Sequence, residues 1–126
     1  LDPTPLSKDR FLAGNVCKKT SQREENKIWE LLEAQKFSLF MYTSCGWFFD
    51  EISGIEPMQV MKFAARALEL IQPYHAHPIE PDFLQILEKA KSNIHGMGSG
   101  KDIFNKFVKP VSMSFPRSFS GNQTKT

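Results

Sequence analysis

The chain has 126 residues, 40% of them hydrophobic, and a formal net charge of +2 from 16 basic and 14 acidic side chains. That length can bury one core, the near balance of charge with no Lys/Arg-dense stretch argues against a nucleic-acid footprint, and no apolar run reaches the length of a membrane span. The start at Leu1 and a polar, Ser/Thr/Lys-rich end suggest a piece of a longer protein: a helical accessory domain over 1–110 and a disordered or linker tail over 111–126.

The elements read as helices. Ser21-Gln-Arg-Glu24 is a capping box, and Ile28, Leu31, Leu32, Gln35 and Leu39 then share one face, predicting a helix to about Met41. Past Gly54, Pro57 suits a first helical turn, and Val60, Ala64, Ala67, Leu68 and Ile71 form an apolar stripe that Pro73 ends. A third helix is expected from Ile79, with Pro81 in its first turn and Phe83, Leu84, Leu87, Ala90 and Ile94 buried, up to Gly96 and Gly98. A fourth follows Gly100, with Ile103, Phe104, Phe107 and Val108 at helical spacing until Pro110. No stretch alternates with period two, so the expected class is all-α, about four helices in an irregular bundle.

Between the first two of these helices, Met41 to Glu56 sets a thiol, two glycines, four aromatics and three carboxylates side by side. Large rings need burial while carboxylates need water or partners, and the mixture suggests the wall of a ligand cleft. Core is the expectation for Phe48 and Phe49, whereas Trp47, following Gly46, is read equally as core or as a ring that stacks on a sugar. Cys45 has no neighbouring His or cation in sequence, so a buried structural thiol is favoured over a nucleophile. With only Cys17 and Cys45 and no signal peptide, reduced thiols in a cytoplasmic chain are the simplest reading.

Glu56 before Pro57 reads as helix N-terminal charge, and adjacent Asp50 and Glu51 cannot both face one scissile bond, so no catalytic pair is assigned. His75-Ala76-His77 is read as a solvated loop and Gly96-Met97-Gly98-Ser99-Gly100 as a flexible connector lacking the Lys-Ser/Thr ending of a phosphate cradle. No metal and no cofactor are expected.

These segments resemble a known family. Leu31-Leu32-Glu33-Ala34-Gln35, the run Met41 to Glu56 with Ser-Cys-Gly-Trp-Phe-Phe-Asp-Glu at its centre, Gln59-Val60, Ala64-Ala65-Arg66-Ala67, Ala90-Lys91-Ser92-Asn93-Ile94 and Phe107-Val108-Lys109-Pro110 look like the family called domain of unknown function 3536, across roughly residues 10–110. That family follows a catalytic domain similar to glycoside hydrolase family 57, whose members act on α-glucans with a distorted (β/α) barrel and C-terminal helices that complete the cleft. The resemblance implies a role beside an upstream catalytic domain, with the nucleophile and acid on the barrel and none in this chain. Thr43-Ser44-Cys45-Gly46-Trp47 looks like the Ser-Ser-Asp-Trp cleft segment of such enzymes, with Gly46 where they have Asp. It implies Trp47 as a sugar-stacking residue, with Cys45, Tyr42, Asp50 and Glu51 as substrate-binding neighbours. The alternative is a structural module that docks on the barrel without touching sugar. Helices that normally cover a barrel would also leave an apolar face, expected along Val60, Ala64, Leu68 and Ile71 with Phe83 and Leu87, through which the chain could form a homodimer.

Overall fold

The computed structural model describes residues 5–112, and the tail expected over 111–126 lies almost wholly outside them. The elements are α1 (Pro5–Asn15), α2 (Gln22–Phe40), α3 (Cys45–Phe48), α4 (Ile55–Ile71), a 3₁₀ turn (Gln72–Tyr74), α5 (Glu80–Leu87), α6 (Gly100–Ile103), a π-helical turn (Phe104–Val108) and α7 (Lys109–Ser112). Among the described residues the class is all-α, with only an isolated bridge between Lys91 and Ser99 outside helices and turns.

The capping box at the start of α2 is present: Ser21 Oγ accepts from the Glu24 amide at 3.3 Å and Glu24 Oε2 accepts from the Ser21 amide at 2.9 Å. The same device, unpredicted, starts α6, where Ser99 Oγ accepts from the Asp102 amide and the Asp102 carboxylate accepts from the Ser99 amide at 2.7 Å. α4 runs through the middle of the molecule and packs against α2, α3, the π turn and α7. Its Met61 and Ala65 close on Ile103, Phe104 and Val108 to form the core, with Ile52, Met58, Phe83, Leu84 and Leu87 packed around them. On the α2 side, Phe37 and Phe40 stack on Phe63 at 6.0 and 5.2 Å, and Arg66 reaches Glu33 at 3.4 Å and Glu69 at 3.3 Å.

Four expectations need correction. First, α2 turns a different side inward. Leu31, Leu32 and Leu39 are exposed, whereas Ala34 is buried and Phe37 meets α4. Glu30 and Glu33 sit near that interface because Tyr74 and Arg66 partner them, which hydrophobic spacing cannot foresee. Second, the stripe Val60, Ala64, Leu68, Ile71 with Phe83 and Leu87 is not one open face: Ala64 is buried and Phe83 and Leu87 pack on the core, while Ile71 is 39% exposed.

Third, α5 ends at Leu87 and Ile94 is exposed. Residues 88–99 fold back instead, with the Ala90 carbonyl accepting from the Gly100 amide at 2.8 Å and Ser92 N donating to Gly98 O at 3.0 Å. Ser92 and Asn93 bond elsewhere, as short polar side chains do when they compete with a helix. The glycine run is thus a fitted corner: a Cβ on buried Gly100 would stand 2.8 Å from the Leu87 carbonyl oxygen. Fourth, Pro110 does not stop the last helix. Lys109 N donates to Phe104 O, a wide i→i+5 turn, and the helix passes through Pro110 into α7. Proline lacks the N–H and crowds the carbonyl four residues back, and the widened turn just before it relieves both demands.

Two further elements carried no periodic signal. α1 docks through buried Leu12 and through Phe11, whose ring lies 5.5 Å from Trp29, with Lys8 Nζ 5.4 Å above the indole. α3 is a single turn, too short for any repeat.

Candidate functional site

The segment between α2 and α4 carries the exposed rings of the Met41–Glu56 run. α2 unwinds at Met41, where the Tyr42 and Thr43 amides donate to the Leu39 and Phe40 carbonyls at 3.1 and 3.3 Å. α3 then lies on α4 at one point of close approach. A Cβ on Gly46 would overlap Val60 Cγ2 and come within 3.1 Å of Val60 Cβ. Glycine is required there for contact, since any side chain would push α3 off α4.

Held in this way, α3 projects its rings outward. Trp47 is 72% and Phe48 73% exposed, Tyr42 80% and Ile55 79%, with Leu39 and Phe49 also open. Phe48 and Phe49 meet edge to face at 5.2 Å. The expectation that the two Phe are core is therefore wrong: the core was filled by Phe104 and its neighbours, and Gly46 sets the α3 turn against α4 with these rings outward. Covering one such ring would yield about 1.5–3 kcal/mol, and so many large apolar side chains left open within one segment mark an interface. Cys45 is likewise exposed, not a buried structural thiol, and Cys17 is free and exposed. Among the described residues no histidine is hydrogen-bonded to Cys45, and no group of three His, Cys, Asp or Glu could hold a metal.

Behind the rings, Glu51 acts as a clasp. Its Oε1 accepts from the Ser53 hydroxyl at 2.6 Å, the Ser53 amide at 2.8 Å and the Ser92 hydroxyl at 2.6 Å, and its Oε2 accepts from the Asn93 amide at 2.7 Å. The Asn93 side-chain amide donates to the Asp50 carbonyl beside it. These donors, Ser53 foremost and Ser92 next, hold the Glu51 carboxyl well below its ordinary range, at about 2, against the opposing effect of burial. Sequence spacing gave no hint of Ser92 or Asn93, which lie 41 and 42 positions away. Among the described residues the carboxylates of Asp50 and Glu56 have no hydrogen-bond or ion-pair partner, and Glu56 occupies the first turn of α4 as expected.

The clasp makes a pH prediction. A carboxyl whose folded pKa is depressed stabilises the fold fully above its unfolded value and loses that contribution as pH falls toward the folded one. Glu51 shares this with Glu24, lowered to about 2 chiefly by the Ser21 amide, and with Asp102, lowered chiefly by the Ser99 amide. Urea midpoints should therefore fall as pH is taken from about 4.5 to about 2. Glu51→Gln should lower the midpoint at neutral pH and flatten that acid limb; an unchanged slope would show that Glu51 is not linked to folding.

Among the described residues no helix is long and apolar enough to cross a membrane. Neither the curated proteins nor the solved structures give a match to this chain. A family model matches residues 1–119, and the chain belongs to that family, described as Domain of unknown function (DUF3536).

Proposed function

We propose that this chain is the helical accessory region of a protein with a glycoside hydrolase family 57-like catalytic domain, and that residues 42–56 are the face by which it docks on that domain. The observation that carries the reading is the outward set of Trp47, Phe48, Tyr42 and Ile55 on a turn fixed from behind by Gly46 and Glu51. A rigid scaffold presenting rings to solvent has the form of half an interface. Catalysis in this reading belongs to the barrel, and the chain supplies no acid–base pair.

A second reading keeps the same surface and gives Trp47 to the α-glucan, as part of the wall of the barrel's cleft. Its support is that the indole is open and free to stack, with Tyr42, Cys45 and Asp50 exposed nearby in sequence. Glu51 has less to offer a sugar in either reading, because both its oxygens already accept hydrogen bonds.

Trp47→Ala in the full-length parent separates the two. Docking predicts that the isolated chain unfolds as wild type, that the parent's two parts melt apart at a lower temperature, and that maltooligosaccharide affinity in the assembled protein is unchanged. The cleft reading predicts an intact assembly and an affinity loss of about 1–3 kcal/mol, the scale of one aromatic contact. Loss of stability in the isolated chain would refute both.

A further inference from the structure

We infer, resting on the docking reading above, that the surface this face receives is cationic: an apolar protein surface carrying arginine or lysine among its apolar side chains. From Phe37 to Met61 the chain has no Lys, Arg or His, while Asp50, Glu51 and Glu56 all fall inside that stretch. The whole chain carries +2, so this acidity is local in sequence; Lys91, beside the Ser92 that bonds Glu51, is a basic residue the fold brings near, and it lies in the field of Asp102. The N-terminus of α4 offsets it by only about half a charge. The carboxylates of Asp50 and Glu56 have no hydrogen-bond or ion-pair partner among the described residues, so their charge is not spent inside the fold.

The rings add to the same preference. Trp47, Tyr42, Phe48 and Phe49 are open to solvent, and an aromatic face attracts a cation, arginine above all, since its planar guanidinium stacks on a ring while forking to a carboxylate. The charge also decides against other occupants. A second copy meeting this face through a two-fold axis would set the carboxylates of one patch against those of the other. A neutral glucan would leave Phe48 and Phe49 covered with no hydrogen bond to give, and Glu51 committed to Ser53, Ser92 and Asn93.

The test uses the whole chain and three amphipathic peptides of about 18 residues with one leucine pattern, bearing arginine, glutamine or glutamate at the polar positions. Binding is read by tryptophan fluorescence, with far-UV circular dichroism confirming the fold of each variant. The arginine peptide is expected to bind tightest, to weaken about 3- to 10-fold in Asp50→Asn/Glu56→Gln, the scale of two partly exposed ion pairs, and to weaken in about 0.5 M NaCl. The same charge change made outside residues 42–56, Asp9→Asn/Asp82→Asn, should leave it unaltered, and Phe48→Ala should weaken all binding. Equal binding of the arginine and glutamine peptides, both weakened by Phe48→Ala, would overturn the cationic partner while the docking reading stands. No binding by any peptide would overturn both. Equal weakening by Asp9→Asn/Asp82→Asn would overturn the cationic site as mere attraction to net charge.

Discussion

Phe104→Ala is expected to destabilise the protein by about 3–5 kcal/mol, read as a shift of the urea midpoint at constant slope. Phe104 is 1% exposed and stands edge-on to Phe83 at 5.5 Å, in the cluster where Met61 and Ala65 of α4 meet Ile103 and Val108. Truncation removes the transfer energy of the ring and leaves a cavity that the π turn, tied by Lys109 N to Phe104 O, can close only in part. A domain of this size has a total stability of about 5–15 kcal/mol, so the variant should stand near the limit of folding. Phe48→Ala, the same chemical change at a ring 73% exposed, should alter the midpoint by no more than about 0.5 kcal/mol. Equal losses at the two positions would mean that Phe48 is covered within this chain and would remove the basis of the docking reading.

The contrast between these two phenylalanines also shows what sequence reading can and cannot reach. α2 and α4 were legible because each spans several turns and carries its own start signal, the Ser21–Glu24 box in one and Pro57 in the other. Phe104 falls at helical spacing with Ile103 and Val108, and all three are buried, while Phe107 of the same run is 37% exposed. Phe48 and Phe49 sit in a four-residue turn, where no period exists, and hydrophobicity alone then assigns them to a core that Phe104 already fills. Where local and distant demands compete, the distant one decides the outcome: Glu51 draws the Ser92 hydroxyl and Asn93 amide out of what the spacing reads as more of α5. The candidate surface was visible as an odd composition between Met41 and Glu56, but its orientation depends on the meeting of Gly46 with Val60, which only the fold discloses.

That meeting leads to the other large expected effect. Gly46→Ala should cost about 1–3 kcal/mol through overpacking, because a β-branched valine cannot swing away from the new methyl. Gly46→Asp, which installs the residue that the resembled cleft segment carries, should cost more, since it also presses a carboxylate against an apolar side chain. An aspartate fits at this position only with a smaller residue facing it. Val60→Ala supplies that space. If the contact is what positions α3, the double variant Gly46→Ala/Val60→Ala should be more stable than the sum of the two single losses, with a coupling of about 0.5–3 kcal/mol. Partner binding should follow the same pattern, weakened in Gly46→Ala, where Trp47 and Phe48 are carried off α4, and regained in the double variant. Additive losses would show that α3 yields without strain and that its rings owe their placement to something other than Gly46.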